Sequence, residues 1–297
     1  MKRIVSISLG SSKRDHKVSL SILGEEVYME RIGTDGDLDA AINKIKELDG
    51  KVDAIGLGGI DLYFFIGKKR YTVKDAVKMA KAAKITPITD GSGVKETLER
   101  EVINLLEDLI PEGVKGKNVL IPSAVDRFGM AETFCKYRAN IVMGDLMFAL
   151  GIPIPIHSIK VLKFLAYVLL PILTRLPFYM LYPVGEKQEE ITPKFTKYFM
   201  WADIIAGDFI FIKKYMPESL ENKIILTNTV TPVDKEMLRQ RKVKWLITTT
   251  PELSGRSFGT NVLEGFLVAM KDKKLAGETD EAFLKRVGLN PRVEKLN

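Results

Sequence analysis

From residue 118 onward the chain repeats one pattern, a short apolar run, a turn, then a segment with helical apolar spacing. The runs fall at Asn118–Ile121, Asn140–Met143, 203–206, 223–227 and 244–248, and the helical segments include 129–137, 234–241 and 261–270. Runs apolar at every position, not at alternate ones, suit strands buried on both faces. Their alternation with helices predicts a parallel sheet covered by helices on both sides. The first third reads differently, with half-buried strands at 3–9, 17–23 and 26–32, a helix at Leu38–Leu48 and a strand at 52–57. A hairpin about Gly67-Lys68-Lys69, a helix over 74–83, a strand over 85–89 and a long helix over 95–109 follow, the last ended by Pro111 and Gly113. The expected fold class is therefore α/β, with a mixed α/β substrate-type lobe over 1–113 and a Rossmann-like lobe with a parallel sheet over 114–270. An apolar insertion covers 152–200 and a C-terminal tail 271–297.

Composition narrows the function classes. The 297 residues carry 45 basic and 38 acidic side chains, net +7, but the two signs are interspersed, which argues against a nucleic-acid partner. Cys135 is the single cysteine and His16 and His157 the only histidines, so neither a disulfide nor an imidazole- or thiolate-built metal site is expected. The start, Met1-Lys2-Arg3-Ile4-Val5-Ser6, passes straight into a strand pattern and is read as lacking a signal peptide, which sets a cytoplasmic expectation. Between Lys163 and Glu186 the only charge is Arg175, and Pro171, Pro177 and Pro183 interrupt the stretch. Prolines and an interior arginine argue against a spanning helix. The segment 161–184 is read as a buried or homodimer-forming pair of short helices, with a peripheral membrane contact or an apolar ligand pocket as the less favoured alternatives.

Thr89-Asp90-Gly91-Ser92-Gly93 sits at a strand end before a long helix. A carboxylate there stands at the mouth between two lobes, where it can orient a hydroxyl, and it equally suits an Asx-Gly turn that caps the helix. Together with Val114-Lys115-Gly116-Lys117-Asn118-Val119-Leu120-Ile121 and Ala202-Asp203-Ile204-Ile205, this resembles the shikimate/quinate dehydrogenase family, including bacterial proteins labelled quinate dehydrogenases. The resemblance implies a catalytic role for Asp90, a proton-relaying lysine and a nicotinamide cofactor. No motif places that lysine; Lys13, in a first loop that also holds Ser11, Ser12 and His16, is the candidate for the relay, with Lys68 the other. Ser11 and Ser12 would face substrate.

The chain departs from that pattern. Ile88 and Val94 replace the family's asparagine and phenylalanine, and Pro122-Ser123-Ala124-Val125-Asp126-Arg127-Phe128-Gly129 replaces its glycine-rich phosphate loop. Ser123, Arg127 and Gly129 are the residues left to approach a pyrophosphate. Asp145, at the end of the next strand, suits a ribose and disfavours a 2′-phosphate, so the expected cofactor is NAD, not NADP; the same residue also suits a helix cap.

A second constellation is hydroxyl-rich: Thr227-Asn228-Thr229, Thr248-Thr249-Thr250, and Ser254-Gly255-Arg256-Ser257-Phe258-Gly259-Thr260-Asn261. Strand ends of a parallel sheet share one rim, so these loops should cluster. Asn228, Thr229 and Thr249 are assigned to cofactor, and Arg256, Ser257 and Asn261 to the anionic part of a substrate. Gly56-Leu57-Gly58-Gly59-Ile60-Asp61 offers a further turn with Asp61 facing the cleft. The expected activity is NAD-linked oxidation of a small hydroxylated carboxylate. The alternative is a non-catalytic Rossmann-like protein that binds an anionic metabolite or nucleotide.

Overall fold

The computed structural model describes residues 1–110, 113–180 and 190–297. Pro111, Pro183 and residues 181–189 of the apolar stretch lie outside the described residues. The first lobe is built on a sheet of β1 (Lys2–Ser8), β2 (His16–Ile22), β3 (Glu25–Gly33), β4 (Ala54–Gly58) and a later short strand, with α1 (Leu38–Leu48) packed beside it. A hairpin of β5 (Tyr63–Ile66) and β6 (Lys69–Thr72) and then α2 (Lys74–Ala80) lead to β7 (Ile88–Thr89), and the order is β2-β3-β1-β4-β7. All neighbours are parallel except β2 with β3. The strand expected over 85–89 shrinks to its last two residues. Pro87 has no N–H for the ladder, but its carbonyl still accepts from Ile55 N at 2.9 Å.

The long helix α3 (Ser92–Leu109) carries the chain to the second lobe. Its sheet holds β8 (Asn118–Ile121), β9 (Asn140–Met143), and three more parallel strands. Between them lie α4 (Phe128–Lys136), α5 (Ile159–Leu173) and α6 (Thr196–Trp201). The strands continue as β10 (Ile204–Gly207), then α7 (Phe209–Tyr215), β11 (Ile224–Thr227), α8 (Pro232–Gln240) and β12 (Trp245–Thr248). A two-stranded ribbon of β13 (Glu252–Leu253) and β14 (Arg256–Ser257) returns the chain to the first lobe, where α9 (Thr260–Ala269) and α10 (Asp280–Arg286) follow. The stretch 271–297 thus holds structure, and its last strand, β15 (Arg292–Lys295), lies antiparallel on β12 at the edge of the second sheet. The order there is β15-β12-β11-β10-β8-β9.

The architecture is bilobed and mixed α/β. In each sheet the first strand is flanked on both sides by later strands, β3 and β4 about β1 and β9 and β10 about β8, so the chain winds away from it in opposite directions across the sheet. The loops leaving those strands diverge at their carboxyl ends and leave a crevice. Here the two crevices face each other.

Packing across the lobes explains why the late helix α9 belongs to the early sheet. Val94 and Leu98 of α3 share a buried cluster with Val262, Leu263 and Phe266 of α9 and with Ile4 and Ala54 of the first sheet. Val102, Ile103 and Leu106, further along α3, join a cluster with Val119 and Ile121 of β8 and Phe134 of α4. Gly265 permits the close seating of α9, since a Cβ there would lie 2.8 Å from Cγ2 of the fully buried Ile4. In an exposed helix interior Gly→Ala gains about 1 kcal/mol. At this position the clash reverses the sign, and Gly265→Ala is expected to cost about 1–3 kcal/mol in denaturant unfolding. A gain in stability would show that α9 does not approach β1 this closely.

Candidate functional site

The two facing crevices form one cleft of about 150 Å3, built from the carboxyl ends of β1, β4, β7, β8, β10 and β11 together with the β13–β14 ribbon and the start of α9. One wall is cationic. Arg31 donates to Ser8 Oγ at 2.9 Å, to the Ser11 carbonyl at 3.0 Å and to Asp15 at 2.8 Å. Arg256 donates to the Arg14 carbonyl, and Arg14 pairs with Asp234 of α8 at 3.6 Å. Burial, then the mutual repulsion with Arg14, pushes Arg31 down to about 10, and Arg256 is likewise pushed down to about 10 by burial, Arg14 and Arg31. Arg14 is 7% exposed, and its Nη1 is buried with no hydrogen-bond partner; so is Oγ of Ser257 beside it in the cleft wall. Buried donors are rarely left unmade, because each costs about 1–3 kcal/mol.

The opposite wall is an ion network. Lys95 of α3 donates to Asp61 after β4 at 3.2 Å and to Asp126 after β8. Arg127 donates to Glu99 of α3 at 2.7 Å and to Asp208 after β10 at 2.8 Å. Asn228 of the β11 loop donates to the same Asp208 at 2.8 Å. Burial, and behind it the Asp126 charge, pushes Asp61 up to about 7. Although burial opposes its charge, Asp126 is held below the usual carboxylate range by Arg127 and Lys95. Lys95 is held above the usual lysine range by Asp126 and Asp61, against burial and the Arg127 charge.

The cleft gathers eight of the residues singled out from sequence: Asp61, Asp90, Arg127, Asn228, Thr229, Arg256, Ser257 and Asn261. It does not gather Lys13, Ser11, Ser12, Ser123, Gly129, Asp145 or Thr249. Asp90 braces the turn that precedes α3, whose N-cap is Gly91. One oxygen accepts from Leu62 N and Tyr63 N at 3.1 and 3.2 Å, and the other from Ser92 N and Oγ at 3.1 and 2.6 Å. Gly91, at φ +84°, lets this turn meet α9, since a Cβ would lie 2.5 Å from Asn261 N. Asn261 itself locks α9 to the sheet: its Nδ2 donates to Ser6 Oγ at 2.6 Å and its carbonyl accepts from Thr89 Oγ1 at 2.8 Å. Lys13 is exposed on the turn after β1, and the Ser12 N–H is used by Asp35 at 2.7 Å. The threonines at the strand ends cap neighbouring carbonyls, Thr227 on Gly207, Thr248 on Thr250 and Thr250 on Asn228. Sequence reasoning missed Ser8, Arg14, Arg31, Lys95 and Asp208, and named Asp126 only as part of the loop in place of the glycine-rich one. Asp208 had the same signal as Asp90, a carboxylate directly after a buried strand, whereas Arg14 and Arg31 had none.

The dinucleotide expectation fails on geometry. Asp145 does not face a ribose: Oδ1 accepts from Val125 N at 2.8 Å, bracing the loop after β8. With Ser123 it lines a separate apolar pocket under α5, together with Leu162, Ala166 and Leu170. Arg127 is consumed by Glu99 and Asp208, and Gly129 packs against Glu96 and Arg100 of α3.

A family model described as Domain of unknown function (DUF8754) matches residues 93–296, and the chain belongs to that family. A second, Domain of unknown function (DUF8753), matches residues 3–90. No curated protein matches the chain. Similar solved structures include an ABC transporter periplasmic solute binding protein from Actinobacillus succinogenes 130z with bound D-allose (TM-score 0.38, 12% identity, 100% of this chain and 98% of that one). A galactofuranose binding protein matches with TM-score 0.38 and 11% identity over 100% of this chain and 95% of its own. The periplasmic binding protein component of the arabinose ABC transporter from Shewanella sp. ANA-3 matches with TM-score 0.37 and 12% identity, covering 94% and 88%. Likenesses this weak carry no ligand or location over to this chain.

The expected shikimate/quinate dehydrogenase kinship is corrected by the two family matches. The oxidoreductase activity, the NAD cofactor and the hydroxy-acid substrate rested on that kinship and are corrected with it, and the loop that would hold NAD is filled by its own ion pairs. The cytoplasmic expectation, with its disfavoured membrane contact and its homodimer through 161–184, accompanied that kinship and is withdrawn with it.

Burial pushes the Asp145 carboxyl up to about 6, so it favours the folded state while protonated, and that contribution is lost as pH rises from about 4 through 6. Asp145→Asn is expected to flatten the pH dependence of unfolding across that window and to raise stability at pH 7 by about 2 kcal/mol. An unchanged pH profile in chemical denaturation would show the carboxyl to be solvated.

Proposed function

We propose that the protein is a non-catalytic solute-binding protein whose interlobe cleft takes a small anionic molecule, with a phosphate-class head group against Arg14, Arg31 and Arg256 and a hydroxylated body against Asp208 and Asn228. The observation that carries the reading is the unpaired, buried Nη1 of Arg14, with the unpaired Ser257 Oγ beside it. Arg31 and Arg256 both lose basicity to burial and to the Arg14 charge, and an anion among the three guanidinium groups relieves that repulsion. The start of α9 on the same wall adds backbone N–H groups and the positive end of a helix dipole.

The binding reading suits the rest of the cleft. Asp90 uses both oxygens to brace the turn, and Lys95 is clamped between two aspartates, so the groups expected to move protons are engaged in holding the walls. The reading keeps the division near residue 114, with a Rossmann-like second lobe as scaffold and no dinucleotide.

The test is calorimetric titration with inorganic phosphate, glucose 6-phosphate and glucose. Glucose 6-phosphate is expected to bind, more weakly as salt rises, and glucose not to. Arg256→Gln is expected to weaken that binding about tenfold or more, the loss of one charged hydrogen-bond donor. Glucose bound as tightly as its phosphate, or titrations with both phosphates that stay flat, would sink the reading.

A further inference from the structure

Helix α5 is apolar on two opposite sides. Leu162, Ala166 and Leu170 face inward and are buried. On the other side Val161, Phe164, Val168 and Ile172 follow helical spacing and stand 49%, 65%, 52% and 62% exposed. A stripe of that length is uncommon on a soluble surface unless something covers it. The chain entering and leaving the helix adds exposed Ile152, Ile154, Tyr179 and Met180.

The charge beside the stripe has one sign. The tip of the β5–β6 hairpin lies against α5, with Lys69 Nζ 5.4 Å and Lys163 Nζ 5.8 Å from the Tyr167 ring centroid. Lys68, Lys69, Arg70 and Lys74 on the hairpin side, and Lys160, Lys163 and Arg175 on or just beyond the helix, are its charges; no acidic residue occurs in 62–74 or 146–185. Elsewhere the chain mixes signs, so this one-signed border stands apart. Among the described residues no helix is long and apolar enough to cross a membrane. α5 also has Pro171 in its last turn, and an apolar pocket lies beneath it.

We propose that the outer face of α5, with the basic hairpin beside it, docks on the surface of an anionic lipid bilayer. Phe164, Val168 and Ile172 enter the headgroup boundary, while Tyr167 stays at its level. The lysines and arginines meet lipid phosphates, reaching them along their own aliphatic stems. Apolar entry and electrostatic attraction act together here, because neither a short amphipathic helix nor a handful of surface lysines holds a protein on a membrane alone.

The test is co-sedimentation of the full chain with vesicles of phosphatidylcholine alone and of phosphatidylcholine mixed with phosphatidylglycerol. Binding is expected on the mixed vesicles only, reduced by salt. It should fall about tenfold in Phe164→Ser/Ile172→Ser and comparably in Lys68→Glu/Lys69→Glu, since each pair removes one of the two contributions. All four positions are exposed, so the variants should keep the wild-type unfolding midpoint, and that measurement accompanies each sedimentation. No sedimentation with mixed vesicles overturns the proposal. So does binding that the apolar pair leaves unchanged, which would be charge attraction alone. A dimer in vesicle-free solution that the apolar pair abolishes overturns it in favour of a second copy of this chain as the occupant.

Discussion

Burying charge between two sheets is the constraint on which the cleft depends. Asp61, Lys95, Glu99, Asp126, Arg127 and Asp208 come from α3 and from loops after three different strands, and each must meet its counter-charge away from water. An uncompensated ion in such a place costs several kcal/mol, so no loop can move without exposing another's charge. The network therefore does for the loops what a core does for helices: it fixes where the strand ends stand. Its return is geometric specificity more than stability, since a well-packed apolar wall would hold as well but would present no polar surface to a ligand.

Much of the fold could be read from the sequence. The short apolar runs after residue 118 became the parallel strands, because burial on both faces demands apolar residues at consecutive positions. The last strand escaped notice, since Arg292–Lys295 holds three charged residues and a single apolar one and takes its place from pairing with β12. The site was legible only in part. Residues at strand ends announce themselves, and Asp90, Asn228, Arg256 and Asn261 do line the cleft. Which of them are engaged in structure is decided by partners far away in sequence. Arg127 is separated from Glu99 by 28 positions and from Asp208 by 81, and no local pattern carries that information.

The mistaken cofactor assignment is instructive in physical terms. A carboxylate at the end of the second strand is the position from which a ribose is held, and Asp145 occupies it. The loop after β8 lacks the glycines that would let a diphosphate approach, so the loop folds onto the carboxylate instead, and Val125 N–H takes the hydrogen bond. One loop's composition decides which of two partners the same aspartate receives.

The route of the chain has a consequence for how the molecule is made. α9 closes the first sheet, yet it is drawn from the far end of the sequence, with Asn261 bonded to Ser6 across 255 positions and to Thr89 across 172. During synthesis β1 and β4 therefore emerge long before the helix that covers Ile4 and Ala54. Contacts of such separation are slow to form, because the loop they close must lose its entropy first. The early strands wait, with an apolar face open to solvent, until nearly the whole chain has left the ribosome. The first lobe is thus the first to be begun, yet it is complete only after every strand of the second sheet except β15 has been made.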